Sequence, residues 1–164
     1  MGKQYILNHR EIHNILKRIS LEIAENHVDD LPIILLGLNE RGYFLVELLE
    51  KHLNEITGIT VSNKLQLVIE NDIVVSSPVW TKVEKNSSVI IVDDVLNSGR
   101  TAMLAVSQCF NESFKRIETS FLAVREYRSF PVYANYSGLS VSTTLKDHVY
   151  FDNSDTSNLQ VYLS

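Results

Sequence analysis

The sequence predicts an α/β fold, in which a doubly wound, mostly parallel sheet is flanked by helices. Two apolar runs, residues 33–38 and 89–92, predict strands buried on both faces, because no polar residue alternates with the apolar ones. Each run is followed by a few small polar residues and then by an apolar pattern of helical period. This alternation is typical of parallel strands joined by crossover helices.

The composition predicts a single domain over residues 1–164. Apolar residues make up 45% of the chain and charged residues 21%, which suits a globular protein with a sizeable core. The net charge of −5 gives no overall attraction to nucleic acid, so we do not expect an RNA partner. No apolar run has the length of a signal peptide or a membrane span, which predicts a cytoplasmic protein without a membrane partner.

Residues 8–25 are predicted to form the first helix. Asn8 and Glu11 have the spacing of a capping box, and apolar residues of helical period follow them. His9 and His13 share one face of this helix, but the zinc-protease pattern needs Glu directly after the first histidine, and Arg10 stands there instead. A solvated helix face is therefore favoured over a metal site.

The strand at residues 33–38 is followed by Asn39, Glu40, Arg41 and Gly42, which are predicted to form a short loop before a second helix. Arg41 is suited to charge-assisted hydrogen bonds with phosphate oxygens, and Gly42 would let the backbone approach a ligand closely. Glu40 would oppose phosphate binding. Two interpretations stay open at this point, a plain turn and a phosphate-binding loop.

Further strands are predicted between residues 59 and 79, most clearly at residues 65–69, and again at residues 117–124. A third helix is predicted over residues 100–114, because its apolar residues have helical spacing. Two late runs, residues 148–151 and 159–163, predict strands that complete the sheet or form a small C-terminal hood over the ligand site.

Residues 89–101 carry the strongest chemical signal. Asp93 and Asp94 stand where the buried strand is expected to end, and ligands of open α/β sheets bind at that edge. The small polar residues 97–101 then lead into a helix, whose first N–H groups and positive dipole end suit a phosphate. The two carboxylates suit sugar hydroxyls or a bridging Mg²⁺. Together they predict a site for a phosphorylated sugar with a divalent metal.

The same segment resembles the phosphoribosyl-pyrophosphate signature of type I phosphoribosyltransferases, with Ser98 at a position where threonine is usual. The resemblance implies that Asp93 and Asp94 are the catalytic pair, holding the ribose hydroxyls directly or through Mg²⁺. It implies a 5′-phosphate site and a pyrophosphate site. The 5′-phosphate residues would be Asn97, Ser98, Gly99, Arg100 and Thr101, and the pyrophosphate residues would be Asn39, Glu40, Arg41 and Gly42.

The segment after residue 124 resembles, in its spacing, the bacterial pyrimidine-operon regulators of this family, which combine RNA-binding attenuation with uracil phosphoribosyltransferase activity. Arg125, Arg128, Pro131, Tyr136 and Gly138 stand at matching positions. The resemblance implies that Arg125 and Tyr136 lie on the base side of the site. It also implies phosphoribosyl pyrophosphate and a nucleobase as partners, uracil or a purine, and a homodimer.

Two functions stay open. The first is an enzyme that transfers the phosphoribosyl group to a nucleobase and releases pyrophosphate. The second is a regulatory protein of the same fold that binds the nucleotide or phosphoribosyl pyrophosphate and has lost catalysis. Residues 70–85 favour the second, because they are short and apolar where active relatives have a longer polar lid loop. A P-loop nucleotide hydrolase is excluded, since no Gly-x-x-x-x-Gly-Lys-Ser/Thr motif occurs.

Overall fold

The structure is a computed structural model that describes residues 2–142 and 147–164. Its helices are α1 (His9–Asn26), α2 (Asn39–Thr57) and α3 (Arg100–Asn111), and a short 3₁₀ turn spans Trp80–Lys82. Its strands are β1 (Gln4–Leu7), β2 (Ile33–Leu38), β3 (Asn63–Glu70), β4 (Ile73–Ser76), β5 (Ser88–Leu96), β6 (Arg116–Arg125), β7 (Tyr136–Val141), β8 (Val149–Asp152) and β9 (Gln160–Leu163).

The main sheet of the described chain has six strands in the order β4-β3-β2-β5-β6-β7. Strands β3, β2, β5, β6 and β7 are parallel to their neighbours, and only the edge strand β4 runs antiparallel, against β3. This order confirms the predicted doubly wound, mostly parallel sheet. Strands β2 and β5 are adjacent at its centre, so the segments that follow their carboxyl ends lie side by side.

The sheet separates two apolar cores. Ile90 and Val92 of β5 pack on the face covered by α1 and α2. Val89 and Ile91 point to the opposite face, where they meet α3 and the buried thiol of Cys109. Because neighbouring strand residues alternate in direction, a strand covered on both faces has to be apolar throughout, as β2 and the start of β5 are.

The predicted hood is a separate antiparallel sheet with strand order β1-β9-β8. Its strand β8 packs Phe151 into the core under α2, with the ring 6.2 Å from that of Phe44. The N-terminal strand β1, which pairs with β9, was not predicted. It is only four residues long and half of it is exposed, so it carries little strand signal of its own.

Two predicted boundaries are wrong in an informative way. Strand β5 does not end before Asp93 but continues to Leu96, because β6 runs beside it and pairs Asp93 with Phe121. Residues 39–42 form the first turn of α2 instead of a loop, and Asn39 itself has a left-handed backbone with φ of 55°. The carboxylate pair and Arg41 are therefore held on regular elements, which are more rigid than loops.

Helix α3 ends at Asn111, three residues before its predicted end. The predicted solvated face of α1 is half-buried, because Nδ1 of His13 lies 3.0 Å from Nε2 of His52 in α2.

Other local predictions agree with the structure. Helix α1 begins with the predicted capping box: the Asn8 side chain accepts the Glu11 N–H, and the Glu11 carboxylate accepts the Asn8 N–H. The predicted strand at residues 65–69 is the centre of β3. None of the helices in the described ranges combines the length and the apolar character that crossing a membrane requires.

Candidate active site

A cavity of about 660 Å³ opens at the carboxyl edge of the main sheet, which is the size range of small-molecule sites. It is lined by the first turn of α2, the end of β3, the end of β5, and the loop that leads into α3. The predicted site residues that line it are Asn39, Glu40, Arg41, Asp93, Asp94, Asn97, Ser98, Gly99, Arg100 and Thr101. The two predicted phosphate segments thus face one space.

Asp93 and Asp94 present two carboxylates to this cavity. The Asp93 carboxylate accepts the N–H of Asp94 at 2.9 Å, and the Asp94 carboxylate accepts the N–H of Val95 at 2.9 Å. Burial raises the pKa of Asp93 well above its usual value, and the charge of Asp94 raises it further. Burial also raises the pKa of Asp94, although Asp93 and the Arg41 guanidinium act in the other direction. The pair therefore favours positive charge beside it.

Arg41 connects the first turn of α2 to this carboxylate pair. Its guanidinium Nη1 lies 3.7 Å from Oδ2 of Asp94, while about half of the side chain remains exposed to the cavity. The neighbouring Asn39 fixes the turn, because its side-chain oxygen accepts the backbone N–H of Ile69 in β3 at 2.9 Å. The structure therefore positions a cation between two strands that end at the cavity.

The loop of residues 97–101 turns from β5 into α3. Gly99 has φ of 87°, a left-handed conformation that favours glycine, and it is the residue before the first turn of α3. The first N–H groups of a helix have no partner within the helix. The Arg100 N–H donates to Oγ of Ser98 at 3.3 Å, and the N–H groups that follow it in the first turn of α3 point toward the cavity end of the helix, where they suit an anion. The side-chain oxygen of Asn97 is buried and has no hydrogen-bond partner among the described residues. This loop therefore offers polar groups that a ligand would satisfy.

A second segment supports this loop from outside the cavity. The carbonyl oxygen of Ser98 accepts the N–H groups of Ser129 and Phe130, at 3.1 and 3.0 Å. A Cβ atom at Gly99 would lie 3.2 Å from the carbonyl oxygen of Phe130. The connection between β6 and β7 thus holds the loop in place, and glycine is the residue that leaves room for it.

The structure adds a wall that the sequence interpretation missed. Gln66, Val68 and Glu70 of β3 line the cavity, and β3 turns into β4 through Asn71 and Asp72, both with left-handed backbones. An Asn-Asp pair between two apolar runs is a hairpin signal, so this wall could have been found from the sequence. Within this turn, Oδ2 of Asp72 lies 2.7 Å from Nε of Arg100.

Three predicted site residues need separate comment. Gly42 does not line the cavity: it packs against β5, where a Cβ atom would lie 2.5 Å from the carbonyl oxygen of Val92. Tyr136 is buried in the core at the amino end of β7, and its hydroxyl donates to Glu118, so the structure does not place it on the base side. Arg125 is the last residue of β6, at the carboxyl edge of the sheet where the cavity opens.

The charges of the site fit a ligand that brings its own divalent cation. Hard carboxylate oxygens such as those of Asp93 and Asp94 are the protein ligands that Mg²⁺ prefers. Among the described residues, however, no group of three or more His, Cys, Asp or Glu side chains is arranged to hold a metal ion. A Mg²⁺ ion at this cavity would therefore complete its coordination with oxygens of the ligand and with water.

The chain matches known proteins over most of its length. Residues 3–151 match the model of the phosphoribosyl transferase domain. The chain is 32% identical over 158 residues to the bifunctional protein PyrR of Macrococcus caseolyticus, and the match covers 91% of each chain. It is 31% identical over 157 residues to the bifunctional protein PyrR of Haemophilus ducreyi, with 90% and 88% covered.

Solved structures share the fold at lower sequence identity. The hypoxanthine phosphoribosyltransferase of Trypanosoma cruzi matches with a TM-score of 0.77 and 15% identity, covering 98% of this chain and 96% of that one. A hypoxanthine phosphoribosyltransferase of Staphylococcus aureus matches with a TM-score of 0.74 and 16% identity, covering 87% and 80%. At such identities the likeness is one of fold.

Proposed function

The chain belongs to the phosphoribosyl transferase domain family, and from this premise we propose that it transfers the 5-phosphoribosyl group of phosphoribosyl pyrophosphate to a nucleobase. One observation carries the proposal: the Asp93–Asp94 pair, Arg41 and the first turn of α3 face a single cavity. A carboxylate pair beside phosphate-binding groups matches a ligand that has a ribose ring and phosphates at both ends.

In the proposed reaction a ring nitrogen of the base attacks the anomeric carbon of the ribose. The new carbon–nitrogen bond forms as the bond from that carbon to the pyrophosphate oxygen breaks, and the pyrophosphate leaves with the bonding electrons. The attacking nitrogen gives up its proton, so the products are the nucleoside monophosphate, pyrophosphate and a proton. Positive charge develops on the ribose ring, where nearby carboxylates stabilise it.

Each segment of the cavity has a role in this proposal. Asp93 and Asp94 hold the ribose hydroxyls and stabilise the positive charge on the ring. The loop of residues 97–101 binds the 5′-phosphate through backbone N–H groups and hydroxyls. Arg41, with Asn39 and Glu40 beside it, faces the pyrophosphate. Gly42 acts indirectly, by letting the first turn of α2 lie close against β5.

We propose Mg²⁺ as the cofactor. When bound, it would neutralise pyrophosphate charge and improve the leaving group. The carboxylates of Asp93 and Asp94 would hold it on the protein side, indirectly and together with the substrate. The acidic lining of the cavity supports this requirement, because Glu40 and Glu70 would otherwise repel a polyphosphate.

Uracil is the base that we propose first, and purines second. Uracil follows from the resemblance of the segment after residue 124 to the pyrimidine-operon regulators, and from the relatives called bifunctional protein PyrR. The homodimer also stays a proposal from this resemblance, and sedimentation velocity at micromolar concentration would test it.

Calorimetry with phosphoribosyl pyrophosphate and Mg²⁺ tests the ligand. Asp94→Asn should weaken binding at least tenfold, because a charged contact to the metal-bound ligand is lost. Asp29→Asn is the matched control. Asp29 forms an exposed ion pair with Arg116, which is the first residue of β6 and so lies at the end of the sheet opposite the cavity. No binding to the unaltered protein at millimolar ligand would refute the proposal.

A turnover assay with uracil, hypoxanthine, guanine and xanthine then tests the transfer. Product with one of these bases, lost in Asp94→Asn, is the expected result. Binding without any product would refute the enzyme and support the regulatory protein of the same fold.

A further inference from the structure

The guanidinium group of Arg100 is held from two sides at the mouth of the cavity. Oδ2 of Asp72, in the β3–β4 turn, lies 2.7 Å from its Nε. The ring of Phe130 lies on another side, with its centroid 5.4 Å from Cζ. Arg100 also follows Gly99 directly, so its side chain leaves the backbone within the loop proposed for the 5′-phosphate.

Arg100 and Arg41 are the cationic side chains that line the described part of the cavity, and both are near carboxylates. Arg41 faces Asp94, which belongs to the proposed catalytic pair. Arg100 faces Asp72, which has no role in the proposed reaction. Asp72 lies in the turn between β3 and β4, whereas Arg100 follows β5. The cation nearest to the proposed phosphate site is therefore neutralised by a residue of the hairpin turn.

We propose that Asp72 is a positioning residue that competes with the ligand's 5′-phosphate for Arg100, and so sets the affinity of the site for a phosphorylated ribose. This inference rests on the function proposed above. A phosphate has more charge and more acceptor oxygens than a carboxylate, so it takes the guanidinium when it binds. The turn then loses its contact with the phosphate loop.

The exposure of the Arg100–Asp72 pair allows a phosphate to replace the Asp72 carboxylate beside Arg100. The side chains of Arg100 and Asp72 are 56% and 47% exposed, and ion pairs of that exposure are weak. Strand β4 is also an edge strand, so the turn is anchored to the sheet through β3 alone. Removing the competing carboxylate should therefore tighten phosphate binding by a modest factor, about two- to fivefold.

The test is a double-mutant cycle on Asp72 and Arg100, with ribose 5-phosphate as the probe in calorimetry. Asp72→Asn keeps the turn, because asparagine tolerates the left-handed backbone at this position. In the otherwise unaltered protein it should tighten ribose 5-phosphate binding about two- to fivefold. In a protein that carries Arg100→Gln, the same change should leave the affinity unaltered, because the residue for which Asp72 competes is gone.

Glu70→Gln is the matched control, since it removes one negative charge from the same hairpin without touching an ion pair of Arg100. Because Glu70 lines the cavity, Glu70→Gln should also tighten binding, but by the same factor with and without Arg100. A Glu70→Gln effect that disappears in the Arg100→Gln background would overturn the inference, because the loss of Arg100 would then weaken every acidic effect and not that of Asp72 alone. Tightening by Asp72→Asn in the Arg100→Gln background would overturn it as well, because the effect would then be general electrostatic repulsion. Either result would leave the proposed function standing. No binding of ribose 5-phosphate to any variant would also overturn the inference alone, because the proposed function is tested separately with phosphoribosyl pyrophosphate and Mg²⁺.

Discussion

Asp93 and Asp94 oppose folding for the same reason that suits them to a cationic ligand. Burial and the charge of Asp94 raise the pKa of Asp93 well above its usual value, so folding disfavours the ionised form of Asp93. Ligand sites often carry such a cost, and substitutions that relieve it gain stability and lose function.

We therefore expect Asp93→Asn to increase the free energy of unfolding at pH 7 by about 0.5–2 kcal/mol while it weakens ligand binding. The sign follows from linkage: the folded state binds the Asp93 proton more tightly than the unfolded chain, so the cost is present above the raised pKa and absent below the ordinary value of 3.8. Urea unfolding at pH 7 and at about pH 3 measures it. A gain of the same size at both pH values would contradict the explanation.

The site residues were predictable from the sequence where a local secondary-structure signal stands beside residues of suitable chemistry. Asp93, Asp94 and the loop of residues 97–101 could be found because an apolar run, two acids and a small-residue turn are local signals. Tyr136 was misplaced because its spacing fits the family pattern while β7 carries it at the amino end of the sheet. Where β7 begins depends on its pairing with β6, which starts at Tyr136. Such pairing between distant segments is not a local property of the sequence.

At the scale of elements, the close contact between α2 and β5 sets the position of Arg41. Gly42 is buried at this contact, and the nearest atom to its missing Cβ is the carbonyl oxygen of Val92 at 2.5 Å. The helix can begin directly after β2 only because no side chain separates it from the neighbouring strand.

Gly42→Ala should lower the free energy of unfolding by about 1–3 kcal/mol, as overpacking does in a well-packed core. It should also weaken phosphoribosyl pyrophosphate binding, because the first turn of α2 must move away from Asp94. Asn54→Ala, at an exposed position of the same helix, is the control and should change stability by less than about 0.5 kcal/mol. Stability loss with unaltered ligand affinity would show that Arg41 does not depend on this contact.

The start of α1 supports the hood as well as the helix. The Asn8 capping box fixes the first turn, and the next residue, His9, accepts the N–H of Leu159 through Nδ1 at 3.2 Å. Asn8→Ala should therefore reduce the free energy of unfolding by about 1 kcal/mol. Asn8→Asp preserves a capping side chain and should recover most of the loss. Urea unfolding of the three proteins decides, and equal stability of Asn8→Ala and the unaltered protein would contradict the role of the cap.

The order of the helices and of the central parallel strands was predictable, because each of them has its own apolar period. The parallel edge strand β7 was not predicted, because small and polar residues interrupt its apolar ones. The pairing of elements that are distant in sequence was less predictable. Strand β5 extends through two acidic residues, which are unfavourable in isolated strands, because the ladder of β6 continues beside them. Strand β1 forms because β9 pairs with it. Its four residues, two of which are exposed, contain no signal that predicts this partner.

At the scale of the whole molecule, a buried ion pair closes the end of the sheet opposite the cavity. Nε2 of His27 lies 2.9 Å from Oε2 of Glu118, and both side chains are buried. Nδ1 of His27 donates to the carbonyl oxygen of Ile23 at 2.8 Å, so a proton on each ring nitrogen matches both partners. The remaining oxygen of Glu118 accepts the Tyr136 hydroxyl, which explains why that tyrosine belongs to the core.

This pair gives the protein a defined pH range of extra stability. Burial acts to lower the pKa of His27, but the hydrogen bonds to Glu118 and Ile23 raise it overall. Burial acts to raise the pKa of Glu118, but its bond to His27 lowers it overall. The Glu118 contribution is complete above its ordinary value of 4.5, and the His27 contribution is complete below its ordinary value of 6.5. Both contributions are therefore present between pH 4.5 and 6.5.

Glu118→Gln should lower the free energy of unfolding by about 3–5 kcal/mol within that range, because it leaves a buried imidazolium without its counter-charge. The loss should shrink as the pH rises through the raised pKa of His27, where the ring becomes neutral. Urea unfolding at about pH 5.5 and pH 9 measures both values, with His27→Gln combined with Glu118→Gln as the control that removes both charges. A loss that does not depend on pH would contradict an ionised pair.

The hood sheet has a consequence for the order in which the molecule folds. It pairs Gln4 with Leu163, so residues near the two ends of the sequence must meet before it can exist. The central strands β2 and β5 need no such encounter, and contacts between residues distant in sequence form late because closing a long loop costs entropy. A newly made chain would therefore assemble the main sheet, with the elements that line the cavity, before the hood sheet. The cavity could then bind its ligand before the two ends of the sequence have paired.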